Sequence, residues 1–89
     1  MPKMVINYGV ADAETWLGFK QERAESIAAV GGRNPVDLAA QDGSNAVAVM
    51  ADADDPVAVM AALTSPPADV TAAMQRHGVL PPRTIYIEK

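Results

Sequence analysis

The sequence predicts an α+β domain in the order strand, helix, strand, strand, helix, strand, and three observations carry this reading. Alternating apolar residues mark both ends of the chain, in "KMVINYGV" and "RTIYIEK". Two longer stretches each open on an aspartate that suits a helix N-cap, Asp12 and Asp55. Between them, two short apolar runs flank the turn-forming residues Asp42, Gly43, Ser44 and Asn45.

In chain order, Met4, Ile6, Tyr8 and Val10 alternate with Val5, Asn7 and Gly9, the period of a strand. From Asp12, with Glu14 in its first turn, a helix of about five turns is expected to run to Gly31-Gly32, where a left-handed C-cap costs little. "NPVDLAAQDGSNAVAVMADA" then reads as a β-hairpin. Asp55 followed by Pro56 opens the second helical stretch, because proline lacks an N–H that the first turn leaves unpaired anyway. Ser65-Pro66 repeats the device, so one helix should end and another begin there, with a change of direction. "RTIYIEK" closes the chain as a strand.

This order is that of the ferredoxin-like βαββαβ fold, a four-stranded antiparallel sheet with the helices on one face. Its 89 residues suit a single domain spanning 1–89. A chain this short buries a modest core, and both faces of its strands are apolar, so the helix-free sheet face is expected to be covered by a second copy.

Composition narrows the function. A formal net charge of −4, with seven Lys and Arg, offers no basic patch for nucleic acid. The absence of cysteine removes disulfides and thiolate ligands, and one histidine does not make a zinc site, so no metal is expected. No segment approaches the roughly 20 apolar residues of a membrane span, nor does the N-terminus read as a signal peptide, so no membrane partner and a cytoplasmic location are expected.

The helix start "DAETW", the approach "ADADDP", the break "LTSP" and the tail "AAMQRHGVLPPRTIYIEK" resemble the dimeric α/β-barrel superfamily, which includes antibiotic-biosynthesis-monooxygenase-like domains. The resemblance implies two such domains pairing sheet to sheet into an α/β barrel. It also implies an activity among cofactor-free oxygenases, isomerases and haem-degrading enzymes, or none. The haem-degrading branch carries an asparagine on the first strand, a tryptophan before the break in the second helix and a histidine after it. Asn7, Ala62 and Met74 stand at these positions, so haem, and with it any cofactor, is not expected.

Five residues are candidates for ligand binding: Asn7, Trp16, Lys20, Arg23 and His77. Trp16, Lys20, Arg23 and Ile27 follow i, i+4, i+7, i+11 spacing, which places two cations on the apolar stripe of the first helix. They either snorkel to solvent, pairing with Asp37 or Asp42, or hold a small anionic organic ligand against the Trp16 face. His77 stands with Arg76 in the last turn before Gly78, where it is expected to complement the negative end of the helix dipole. Otherwise it faces a pocket as a general base. Two functions remain open: a cofactor-independent oxygenase, isomerase or cyclase acting on a small aromatic or polyketide-like acid, and a homodimer that binds a small molecule or only assembles.

Overall fold

A computed structural model describes residues 2–66 and 68–89. Four strands, β1 (Lys3–Val10), β2 (Gly32–Ala39), β3 (Ala46–Ala53) and β4 (Val79–Ile87), form one sheet in the order β2-β3-β1-β4. Every neighbouring pair is antiparallel. This is the ferredoxin-like topology expected from the sequence.

Both helical stretches are divided. The first becomes α1 (Ala13–Leu17) and α2 (Lys20–Ala29), and the second α3 (Pro56–Thr64) and α4 (Ala68–Arg76). The caps read from the sequence are in place: Asp12 accepts from the Thr15 N–H at 3.2 Å, and Asp55 from the Ala58 N–H at 3.2 Å. The second division falls at Ser65-Pro66, as expected; the helix resumes at Ala68, and Pro67 lies outside the described residues.

The first division was not expected. At Gly18 and Phe19 the N–H groups reach back three residues, to Thr15 and Trp16 carbonyls at 3.1 Å each. Such bonds tighten the turn and advance the helix phase. Lys20 therefore swings off the face that Trp16 and Arg23 share, and it is exposed where Arg23 is buried.

Alternation in β1 and β3 sends Met4, Ile6, Val10, Val47, Val49, Ala51 and Ala53 toward the helices, where they pack with Trp16, Ile27, Val59 and Leu63. Gly32 allows α2 to lie close on the sheet, since a Cβ there would stand 2.5 Å from the Ile27 Cγ2. Register places Val36 opposite Met50, and Met50 opposite Val5, which in turn faces Tyr86 on β4. Together with Leu38 these side chains make an apolar helix-free face, on which Val36 and Leu38 are 43% exposed and Tyr86 54%.

The last strand begins four residues earlier than the sequence suggested. Pro81 and Pro82 cannot donate to a ladder, and an edge strand tolerates them through a bulge: pairing jumps from Asn7–Thr84 to Gly9–Leu80. Beyond that bulge, Arg83 points to the helix side, since its neighbour Thr84 pairs with Asn7 on the opposite face.

Among the described residues no single helix is long and apolar enough to cross a membrane.

Candidate functional site

Between the helices and the sheet lies a cavity of about 50 Å³. Ile6, Tyr8 and Val49 form its floor, Ser26 and Ile27 of α2 one wall, and Leu63, Val70, Ala73 and Met74 of α3 and α4 the other. Three basic side chains, Arg23, His77 and Arg83, join Val79 in this lining, whose other polar groups are the Tyr8 and Ser26 hydroxyls.

Arg23 is held from three sides. Its Nε and Nη2 donate to Asp37 Oδ1 and Oδ2 at 2.9 and 2.8 Å, a bidentate pair in which both side chains are 5% exposed. Asp37 is brought there by β2 pairing, which sets it opposite Val49 on the helix side of the sheet. The guanidinium carbon lies 3.8 Å from the centroid of the Trp16 ring, within cation–π range. One nitrogen is left over: Arg23 Nη1 is buried and has no hydrogen-bond partner among the described residues.

Trp16 is fully buried and acts from behind the cavity. Its Nε1 donates to the Tyr8 hydroxyl at 3.0 Å, and the two rings meet edge to face at 6.2 Å. Because the Tyr8 oxygen accepts from Trp16, its own O–H is available to donate. Burial pushes the Tyr8 pKa up, against the pull of the Trp16 bond and of the Arg23 and Arg83 charges.

Arg83 is half-buried. Nη2 donates to the Leu63 carbonyl at 2.9 Å, satisfying an acceptor near the end of α3, and Nη1 contacts Met74 Sδ at 3.3 Å. No carboxylate lies within ion-pair distance of Arg83 among the described residues, so it is the cavity's uncompensated cation.

His77 follows α4, donating its backbone N–H to the Ala73 carbonyl, with Gly78 in the left-handed conformation (φ 77°) beyond it. The ring, however, does not cap the helix from solvent. It is 4% exposed and stacked on Phe19, centroids 4.6 Å apart and planes 22° from parallel. Burial above all, and then the nearby Arg23 charge, hold its pKa below 6.5, while Glu22 pulls the other way. Burial thus favours the neutral ring and keeps it from the solvent at the helix end, which corrects the expectation of a cationic cap; Arg76 is the cation of that turn, paired with Glu22. His77 Nε2 stands 3.4 Å from Glu22 Oε1 without hydrogen-bond alignment and has no hydrogen-bond partner among the described residues.

Of the five residues singled out by sequence, Arg23 and His77 line the cavity. Trp16 supports it through Arg23 and Tyr8. Lys20 is exposed, and Asn7 lies on the other face of the sheet, alternating with Ile6 and Tyr8. Asp37 was one of two carboxylates, with Asp42, considered as a snorkelling partner for Lys20 and Arg23; the structure pairs it with Arg23 in a buried contact. Tyr8, Glu22 and Arg83 were missed as site residues. The alternation of Tyr8 with Asn7 would have placed it beside Ile6, whereas Arg83 depends on the diproline bulge. No group of three His, Asp or Glu residues is placed to hold a metal among the described residues.

No family model and no curated protein matches the sequence. Solved structures do match the fold. One is a cofactor-independent oxygenase, SnoaB from Streptomyces nogalater, 19% identical over 99% of this chain and 92% of that one, with a TM-score of 0.66. A second is described as an antibiotic biosynthesis monooxygenase, 11% identical over 100% of this chain and 97% of the other, TM-score 0.66. A third is a dimeric ferredoxin-like protein from an uncultured marine organism, 6% identical over 100% and 93% of the two chains, TM-score 0.61. The chain thus has the ferredoxin-like α+β fold found in antibiotic-biosynthesis-monooxygenase-like proteins.

Proposed function

We propose that this chain is the subunit of a homodimeric, cofactor-independent enzyme of the oxygenase, isomerase or cyclase type, acting on a small anionic aromatic or polyketide-like molecule in the cavity between helices and sheet. The observation that carries the reading is the donor set in an apolar lining: Arg23 Nη1 without a partner, Arg83 without a carboxylate, and the Tyr8 hydroxyl. Donors fixed in a low-dielectric site stabilise an oxyanion more than water does, because they need no reorganisation as charge develops.

The three reaction types share a first step, removal of a proton to give an enolate or phenolate. A neutral buried imidazole suits that step, and His77 is such a group. The electron-rich anion, its oxygen held by the two guanidinium groups, is then the species that reacts onward with dioxygen, a proton or an internal carbonyl. The fold shared with a cofactor-independent oxygenase supports the class. A second copy is the proposed cover for the apolar face of Val5, Val36, Leu38, Met50 and Tyr86, as one of the similar structures is described as dimeric.

Binding is tested by thermal shift with salicylate, an aromatic hydroxy acid, against its uncharged amide. Salicylate is expected to raise the wild-type Tm and to lose that effect in Arg83→Met. Equal shifts with acid and amide, or a salicylate shift that survives in Arg83→Met, would overturn the anionic-ligand reading.

A further inference from the structure

We infer that the ligand reaches the cavity between α2 and α4, and that the ion pair of Glu22 with Arg76 is the latch on that entrance. The inference rests on reading the inner cavity as the ligand site.

The inner cavity, at about 50 Å³, has room for a few water molecules but not for an aromatic ring. Next to it, on the surface between α2 and α4, lies a groove of about 310 Å³. Ser26, Val70 and Ala73 line both spaces, so the partition between them consists of small side chains from these two helices. Separating α4 from α2 would merge the groove and the cavity into one chamber large enough for a ring.

Among the described residues, one ion pair ties the helices across that partition. Arg76 Nη2, at the end of α4, donates to Glu22 Oε1 on α2, and both residues line the groove. The same Glu22 oxygen stands near the His77 ring, which lines the inner cavity. The latch thus spans the outer groove and adjoins the inner site. The Arg76 and Glu22 side chains are 54% and 34% exposed, and a pair in such a setting stabilises only weakly. It biases the closed arrangement and yields readily. An incoming anion has a direct means of opening it, because it competes with Glu22 for the Arg76 guanidinium.

Trp16 is the only tryptophan, is fully buried, and contacts Arg23 and Tyr8 of the cavity lining. Its fluorescence therefore reports on access to the cavity without any ligand. The experiment measures acrylamide quenching of Trp16 in the wild type, Arg76→Gln, Ala73→Leu and, as a control in the same groove, Glu25→Gln, with Tm recorded for each. Arg76→Gln is expected to raise the quenching rate constant severalfold, and Ala73→Leu to lower it. Glu25→Gln should match the wild type. High salt should reproduce the effect of Arg76→Gln in the wild type and add nothing in that variant. Unchanged quenching in Arg76→Gln, or an equal rise in Glu25→Gln, would overturn the inference. Failure of the ligand reading appears separately, as absence of the salicylate shift, since quenching requires no bound ligand.

Discussion

Arg23 on α2 and Asp37 on β2 meet as a bidentate ion pair at 2.9 and 2.8 Å, each side chain only 5% exposed, with the Trp16 ring beneath the guanidinium. The pair is a stability element as well as part of the cavity. Removing one partner leaves the other charged and buried, so Arg23→Met or Asp37→Leu alone is expected to cost about 3–5 kcal/mol. The double variant should recover most of that loss, because two apolar groups need no mutual compensation. Urea denaturation of the four proteins gives the coupling directly; additive losses would show that the two side chains act independently.

His77 gives the protein a pH dependence of predictable sign. Its folded-state pKa lies below 6.5, so folding favours the neutral ring. That stabilisation is complete above the unfolded value and is lost as pH falls through the folded one. Stability is therefore expected to decline on acidification below about pH 6.5, and His77→Phe, which keeps an aromatic ring against Phe19, should flatten that part of the curve. As the only histidine, His77 also offers a single ring resonance to titrate by NMR. A midpoint above 6.5 would contradict the assignment.

The order of strands and helices was legible because it rests on local signals: period-2 alternation, Asp12 and Asp55 as caps, Pro56 at a helix start, and turn residues between β2 and β3. The site was legible only in part, because its geometry is made by tertiary contacts. Ideal helical spacing put Lys20 beside Trp16; the three-residue turn at Gly18 and Phe19, which accompanies the seating of Trp16 against Tyr8, moved it away. Proximity to a helix end suggested a solvated His77, whereas Phe19 and the cavity wall enclose it. Arg83 gave no periodic signal, since the Pro81-Pro82 bulge precedes it and Leu63, 20 residues away, is its partner.

The helix-free face carries the prediction about assembly. Leu38 and Tyr86 are 43% and 54% exposed on a surface that continues through Val5 and Met50. Sedimentation at micromolar concentration is expected to give a dimer, and Leu38→Lys, which sets a charge on the face, should shift it toward monomer. A wild-type monomer at that concentration would remove the proposed interface.

The central claim, that the cavity beside Arg23, Arg83, Tyr8 and His77 is a site for a small anion, is tested most directly by NMR chemical-shift mapping with salicylate. The account predicts saturable shifts concentrated on the His77 ring, the Met74 methyl and the backbone around Tyr8 and Arg83, and their disappearance in Arg83→Met. Shifts confined to the exposed Lys20 side of α2, or shifts at the cavity that persist in Arg83→Met, would contradict it.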